Sequence, residues 1–175
     1  ESKNHYEEEE KEIKKMVNKK AQANGMEYHR LGNLVPYIAV GKKSKKYPAS
    51  VQGIDFERLS KMPIVSISPS ARGGLSGWDY LQKLFGNDMK ISNQEIRTIS
   101  TGTMKNIVCN CDAFALVLIN EGVYNRFGFF DDLRLIPIKD LKVQFEMGWI
   151  QKTNTVRSPL AYDFVEMLKD YVEDI

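Results

Sequence analysis

The spacing of hydrophobic positions changes along the chain. Between Tyr6 and Ala23, apolar residues Ile13, Met16, Val17 and Ala21 recur at one-face helical spacing, which predicts an amphipathic helix. Glu7 to Glu10 stand near its start and Lys14, Lys15, Lys19 and Lys20 near its end, the favourable sense for the helix dipole. Asn24-Gly25 supplies a stop signal. From Met26 onward, short apolar runs alternate with helical stretches. Strands are expected over Val35 to Val40, Ile64 to Ile67, Ile96 to Ser100, Phe114 to Ile119, Leu133 to Ile136 and Val143 to Gln151. Between them, Asp55 can cap a short helix through Met62 that Pro63 ends, and further helices are expected over Trp78 to Phe85 and Met104 to Cys111. The last helix starts at Ser158-Pro159, an N-cap followed by proline at the first helical position. Its expected stripe is Leu160, Ala161, Phe164, Val165, Leu168 and Val172. Repeated strand-helix alternation with strongly apolar strands predicts an α/β fold with an at least partly parallel sheet. The chain shows no internal repeat.

Composition narrows the class without naming a function. The 175 residues carry 25 Lys and Arg against 23 Asp and Glu, a formal net charge of +2, with 42% hydrophobic and 27% charged residues. That fits one domain or two small lobes and argues against a disordered or disulfide-scaffold chain. Uncharged apolar stretches such as Ala113 to Asn120 fall far short of the ~20 residues of a membrane span. Near neutrality gives no reason to expect nucleic-acid contact by this chain alone. Cys109 and Cys111 form a C-x-C with no third cysteine to pair with, which favours a reducing, cytoplasmic setting.

Candidate chemistry gathers in two loops. Ser66-Ile67-Ser68-Pro69-Ser70-Ala71-Arg72-Gly73-Gly74 follows the strand at Ile64, and Ser100-Thr101-Gly102-Thr103 precedes the helix at Met104. Ligands of open α/β sheets bind at carboxyl ends of strands, against helix N-termini that attract anions. Hydroxyls, a cation and glycines at such places suit a small anion, although either loop alone also reads as a cap or turn. The lysine-rich Gly41 to Lys46 reads as a solvated turn that could touch an anionic partner. Catalysis finds less support. His5 and His29 are the only histidines, His5 in a terminal stretch and His29 beside Arg30 in an expected strand, and Cys109 and Cys111 lie in an apolar helical run. A C-x-C-D set with so few other soft ligands makes no metal site, and no phosphate-binding or dinucleotide-binding glycine motif is present. We therefore expect no catalytic residues, metal or cofactor.

The order of segments resembles the effector-binding domain of LysR-type transcriptional regulators. Tyr37-Ile38-Ala39-Val40 with its lysines looks like that family's strand and K-x-H-P-L style loop. Ile54 to Met62 with Pro63-Ile64-Val65 is similar to its x-L-x-D-L-x-x-x-P-x-I stretch. Thr101 to Asn120 looks like its helix-strand unit, and Leu135-Ile136-Pro137-Ile138 like the strand that returns across the hinge. Val143 to Lys152 with Ser158-Pro159-Leu160-Ala161 and Phe164 is similar to its closing strand and S-P-x-A-x-x-F helix.

That resemblance implies a periplasmic binding protein-like (type 2) two-lobe architecture with mixed, largely parallel sheets. Residues 1–25 would be an unassigned helix, 26–41 a first-lobe strand and crossing, 42–135 the second lobe, and 136–175 the return crossing, closing strand and last helix. The two crossings would be Val35 to Val40 and Ile138 to Phe145. A small, anionic effector would sit between the lobes against Ser68, Ser70, Arg72, Thr101 and Thr103. Arg72 would pair with its carboxylate or phosphate, and Trp78 or Tyr37 would wall the pocket, although Trp78 reads equally well as core. Expected partners are the effector and further copies in a homodimer or tetramer, with no membrane. DNA would be touched only through a winged-helix domain that this chain lacks. The sequence departs from the family in having no G-x-G ahead of the Phe114 strand, where Asn110-Cys111-Asp112 stands, and in lacking most of the first lobe. With Glu1 in place of an initiator Met, we expect sequence ahead of it. A stand-alone solute-binding protein is the alternative function. An enzyme on the same fold, such as a deaminase or dehydratase relative, lacks a visible base-nucleophile pair.

Overall fold

The computed structural model describes residues 15, 19, 22–68, 94–121, 128–139, 141 and 143–173. The chain divides into two compact units, unit 1 formed by 1–34, 120–123 and 143–175, and unit 2 by 35–119 and 124–142. The expected helix Trp78 to Phe85, with the Trp78 wall, and most of the expected helix Tyr6 to Ala23 lie outside the described residues. Gln22 and Ala23 are helical, and Gly25 stops the helix as expected, at φ 64° with its N–H bonded to the Gln22 carbonyl at 3.0 Å.

Unit 2 is built around the second half of one long strand. β1 runs from Met26 to Gly41 and crosses the boundary between units at Val35. Its Val35–Ala39 stretch pairs antiparallel with β4 (Ala115–Ile119), and Tyr37–Gly41 pairs antiparallel with β5 (Leu133–Pro137). Flanked on both sides, Ile38, Ala39 and Val40 are wholly buried, which is why this run reads as continuously apolar. Pro36 lacks an N–H, and it stands just beyond the β5 ladder, which opens at Tyr37. β2 (Ile64–Ile67) pairs parallel with β3 (Glu95–Thr98), and on its other side Val65 donates to the Phe114 carbonyl at 2.7 Å, just ahead of β4. α1 (Phe56–Ser60) is capped by Asp55, whose carboxylate accepts from the Arg58 N–H at 2.8 Å, and buries Leu59. α2 (Thr101–Asn110) lays Met104 and Val108 onto Ala39, Val65, Ala115 and Leu133. Gly41 permits this closeness, since a Cβ there would stand 2.9 Å from the Cys109 Cα.

The lysine-rich loop is a tied turn. Ser44 donates to the Asp112 carboxylate at 3.2 Å, and Lys46 stands 3.8 Å from the same group. Behind it, the Arg134 guanidinium donates to the Tyr47, Pro48 and Val51 carbonyls, pinning the stretch that leads to α1.

Unit 1 contains the first half of β1, paired antiparallel with β6 (Phe145–Lys152), and α3 (Pro159–Glu173). Leu31 is a bulge between Arg30 and Gly32. A Cβ on Gly32 would lie 2.8 Å from a Val172 methyl, so α3 passes close to the strand there. Ser158 caps α3 as expected, its hydroxyl accepting from the Ala161 N–H at 3.2 Å. A side-chain network joins the layers. The His29 and Trp149 rings stack 4.7 Å apart, Gln151 donates to Glu27, Arg157 donates to Gln151 at 2.6 Å, and Arg157 and Lys169 both lie over Trp149.

Several expectations need correction. The fold is mixed α/β, but its sheets are not largely parallel. Among the described residues the three ladders of β1 are antiparallel, and only β2–β3 forms a parallel ladder. One long strand receives three returning strands, and apolar content alone does not report strand direction. The crossing expected over Ile138 to Phe145 is not a continuous strand. β5 ends at Pro137, Ile138 makes an isolated bridge to Ile54, and pairing resumes at Phe145. The α3 stripe is also only partly buried, with Val165 inside and Leu160 and Phe164 exposed.

Candidate functional site: the α2 N-terminus of unit 2

Parallel pairing brings the carboxyl ends of β2 and β3 to one edge. The register matches Ser66 with Arg97 and Ile67 with Thr98. Side chains lock it, because the buried Ser66 hydroxyl donates to Glu95 at 2.6 Å and Arg97 Nε donates to the other Glu95 oxygen at 2.9 Å. With the strands held, three hydrogen bonds run along the edge. Ser68 N–H donates to the Thr98 carbonyl at 2.7 Å, Ser100 N–H to Thr98 Oγ1 at 3.3 Å, and Thr103 N–H to Ser100 Oγ at 3.4 Å.

Helix α2 starts three residues earlier than the sequence pattern indicates. Apolar periodicity begins at Met104, but Ser100 is extended (φ −127°, ψ 131°) and supplies the cap. Thr101, Gly102 and Thr103 are thus the first turn of the helix and not a loop before it. Helix-start N–H groups lack partners within the helix and carry the positive end of its dipole, so this turn favours a carboxylate or phosphate. Thr101 and Thr103 are exposed, Ser68 is half-buried, and β3 stops at Thr98, two residues before the expected Ser100.

Of the five residues expected to bind a ligand, Ser68, Thr101 and Thr103 lie along this edge, while Ser70 and Arg72 are outside the described residues. Two residues at the edge escaped sequence reasoning. Thr98 links Ser68 to Ser100, and Ile99, 90% exposed, presents an aliphatic side chain beside the helix start. An apolar residue that leaves a strand run immediately before a Ser-Thr-Gly-Thr cap is the signal that could have found Ile99. Tyr37, the other candidate wall, is half-buried within β1.

The far end of α2 has the opposite chemistry. Burial pushes the Cys109 thiol up from its ordinary value, and Asp132 adds to this, so the neutral thiol is favoured. Its sulfur stands 3.7 Å from the Asp132 carbonyl, while Lys105 pairs with the Asp132 carboxylate at 3.2 Å. Among the described residues no three His, Cys, Asp or Glu side chains come together as a metal site. No helix among them is long and apolar enough to cross a membrane.

No family model and no curated protein matches the sequence. Solved structures do match the fold. The effector-binding domain of QuiR in complex with shikimate aligns over 86% of this chain and 67% of its own, with 13% identity and a TM-score of 0.60. The regulatory domain of CcmR from Synechocystis in complex with 2-PG aligns over 91% and 80%, with 11% identity and a TM-score of 0.62. Full-length CbnR complexed with its target DNA aligns over 86% of this chain and 48% of its own, with 18% identity and a TM-score of 0.58. The chain therefore spans about half the length of that full-length regulator. Over most of its length this chain has the fold of the effector-binding domains of LysR-type transcriptional regulators.

Proposed function

We propose that this chain is the effector-sensing part of a LysR-type transcriptional regulator. It binds a small carboxylate- or phosphate-bearing metabolite at the α2 N-terminus and acts by binding, without turnover. The observation that carries this reading is the edge where β2 and β3 end, with Ser100 capping α2 and Thr101, Thr103 and Ser68 set around it. The first helical turn receives the anion, the hydroxyls of Thr101 and Thr103 hold a further acceptor, and the exposed Ile99 covers an apolar part of the ligand. Arg72 follows β2 in sequence and would add a bidentate partner for the carboxylate. Neighbours of the same fold bind shikimate and 2-PG, which supports a small metabolite. The two-lobe periplasmic binding protein-like architecture, with boundaries at 26–41, 42–135 and 136–175, belongs to the same proposal, as does a cytoplasmic regulator contacting DNA through a further domain.

The test is a thermal-shift screen of small carboxylates and sugar phosphates, repeated with Arg72→Ala and with Thr101→Val/Thr103→Val. A hit should stabilise the parent, and each variant should bind it about tenfold more weakly, the loss expected for about 1.4 kcal/mol of hydrogen bonding. Equal stabilisation of parent and variants would remove these residues from the site.

A further inference from the structure

The lysine-rich turn after β1 is fixed at both ends. Ser44 N–H donates to the Gly41 carbonyl and Lys42 N–H to the Asp132 carbonyl, each at 3.0 Å. Asp112 ties the middle of the turn through Ser44 and Lys46, and the next residue, Tyr47, is buried. Arg58 of α1 joins the same surface, since its guanidinium donates to the Lys46 carbonyl at 3.1 Å and lies over the Tyr47 ring. Lys42, Lys43, Lys45, Lys46 and Arg58 are all exposed.

Nearby acids leave most of these cations uncompensated. Glu57 pairs with Lys61 at 2.7 Å, Asp132 pairs with Lys105 at 3.2 Å, and the Asp131 carboxylate turns back toward Gly128. Asp112 pairs with Lys46, and among the described residues Lys42, Lys43, Lys45 and Arg58 have no ion-pair partner. The net charge of +2 for the whole chain conceals this local surplus. The patch also lacks what a protein partner needs. No large hydrophobic side chain from Gly41 to Lys61 is exposed, whereas protein interfaces anchor on aromatic side chains and are depleted in lysine. Closely spaced cations on a fixed backbone, without apolar anchors, match a polymer of phosphates. We propose that the Gly41–Lys46 turn, together with Arg58, grips the phosphate backbone of DNA without reading its sequence. The contact is made by unit 2 itself and does not depend on the effector site at α2.

Fluorescence anisotropy of a short labelled duplex of arbitrary sequence, titrated with the full chain in the absence of effector, tests this. Binding should weaken as salt rises with a log–log slope of about −3.6, the value for four neutralised phosphates. Lys42→Ala/Lys43→Ala/Lys45→Ala should flatten the slope to about −0.9, and Arg58→Gln alone should reduce it by about 0.9. Lys15→Ala/Lys19→Ala/Lys152→Ala removes the same charge from other exposed positions and should leave the slope unchanged. Equal losses in the two triple variants would show that net charge alone attracts the duplex, and would overturn the proposal. Absence of binding at low salt would overturn it too. The duplex should also outcompete poly-glutamate of equal charge, and the reverse order would assign the turn to an acidic protein instead. Failure of any of these outcomes leaves the anion site at α2 standing, since no effector takes part.

Discussion

The two units spend their apolar residues differently. In unit 2 the side chains of Ile38, Ile54, Ile64, Phe114 and Ile136 are almost fully buried beneath strands and helices that cover one another. Among the described residues of unit 1, Val165 is the only buried hydrophobic side chain, and Leu160, Phe164, Met167 and Ile150 face outward. The described part of unit 1, a two-stranded ribbon with one helix, has too few layers to enclose a core. Unit 1 is held instead by a stacked ring pair, cations over Trp149 and side-chain hydrogen bonds. Among the described residues the packed core therefore belongs to unit 2, and that is where the candidate site lies. A ligand that reads sub-ångström geometry needs a helix terminus held by a packed core, as α2 is held by Met104 and Val108.

The same substitution in both units should break this comparison most sharply. Phe114→Ala opens a cavity in the core of unit 2 and should cost about 3–5 kcal/mol. Phe164→Ala, on the exposed stripe, should stay within about 0.5 kcal/mol. Urea denaturation of both variants checks this. Comparable losses would mean that unit 1 has a core of its own.

Much of unit 2 could be read from sequence because its signals are local. Ile64-Val65-Ser66-Ile67 is bounded by Pro63 and matches its strand residue for residue, and Asp55 caps α1 as expected. Strand direction could not be read, since Val35 to Val40 is equally apolar with parallel or antiparallel neighbours. The start of α2 was missed because capping depends on the dihedral angles of Ser100, while hydrophobic periodicity becomes visible only at Met104. At the site, hydroxyls and glycine announced Thr101 and Thr103, but the link through Thr98 needed the parallel register of β2 and β3. In unit 1 the α3 stripe was legible as a stripe, and its exposure was not, because that depends on how many layers cover it.

A second, smaller effect concerns how unit 2 holds its loops. Arg134→Ala leaves the Tyr47, Pro48 and Val51 carbonyls without the guanidinium and should cost about 2–3 kcal/mol. Chemical denaturation would measure the loss, and a change under about 0.5 kcal/mol would show that water replaces the guanidinium freely.

The smallest effect sits in unit 1. The Gln151 amide beside Glu27 holds its carboxyl below the ordinary value, and His29 and Arg157 act in the same sense. A depressed carboxyl stabilises the fold above its unfolded value, and that contribution fades as pH falls through the folded one. The Trp149 indole resonance should therefore shift as pH drops below about 4.5, the ordinary carboxyl value. Glu27→Gln should flatten that response and lower the denaturation midpoint at neutral pH slightly, since the charged carboxyl is absent there too. An unaltered titration in the variant would assign it to other carboxylates.

The proposed site is tested most directly by amide chemical shifts of the full chain, followed during titration with a carboxylate or sugar phosphate that stabilises it. Saturable shifts should concentrate at Ser68, Ile99, Thr101, Gly102 and Thr103. A ligand that shifts α3 and leaves the α2 N-terminus untouched would contradict the assignment.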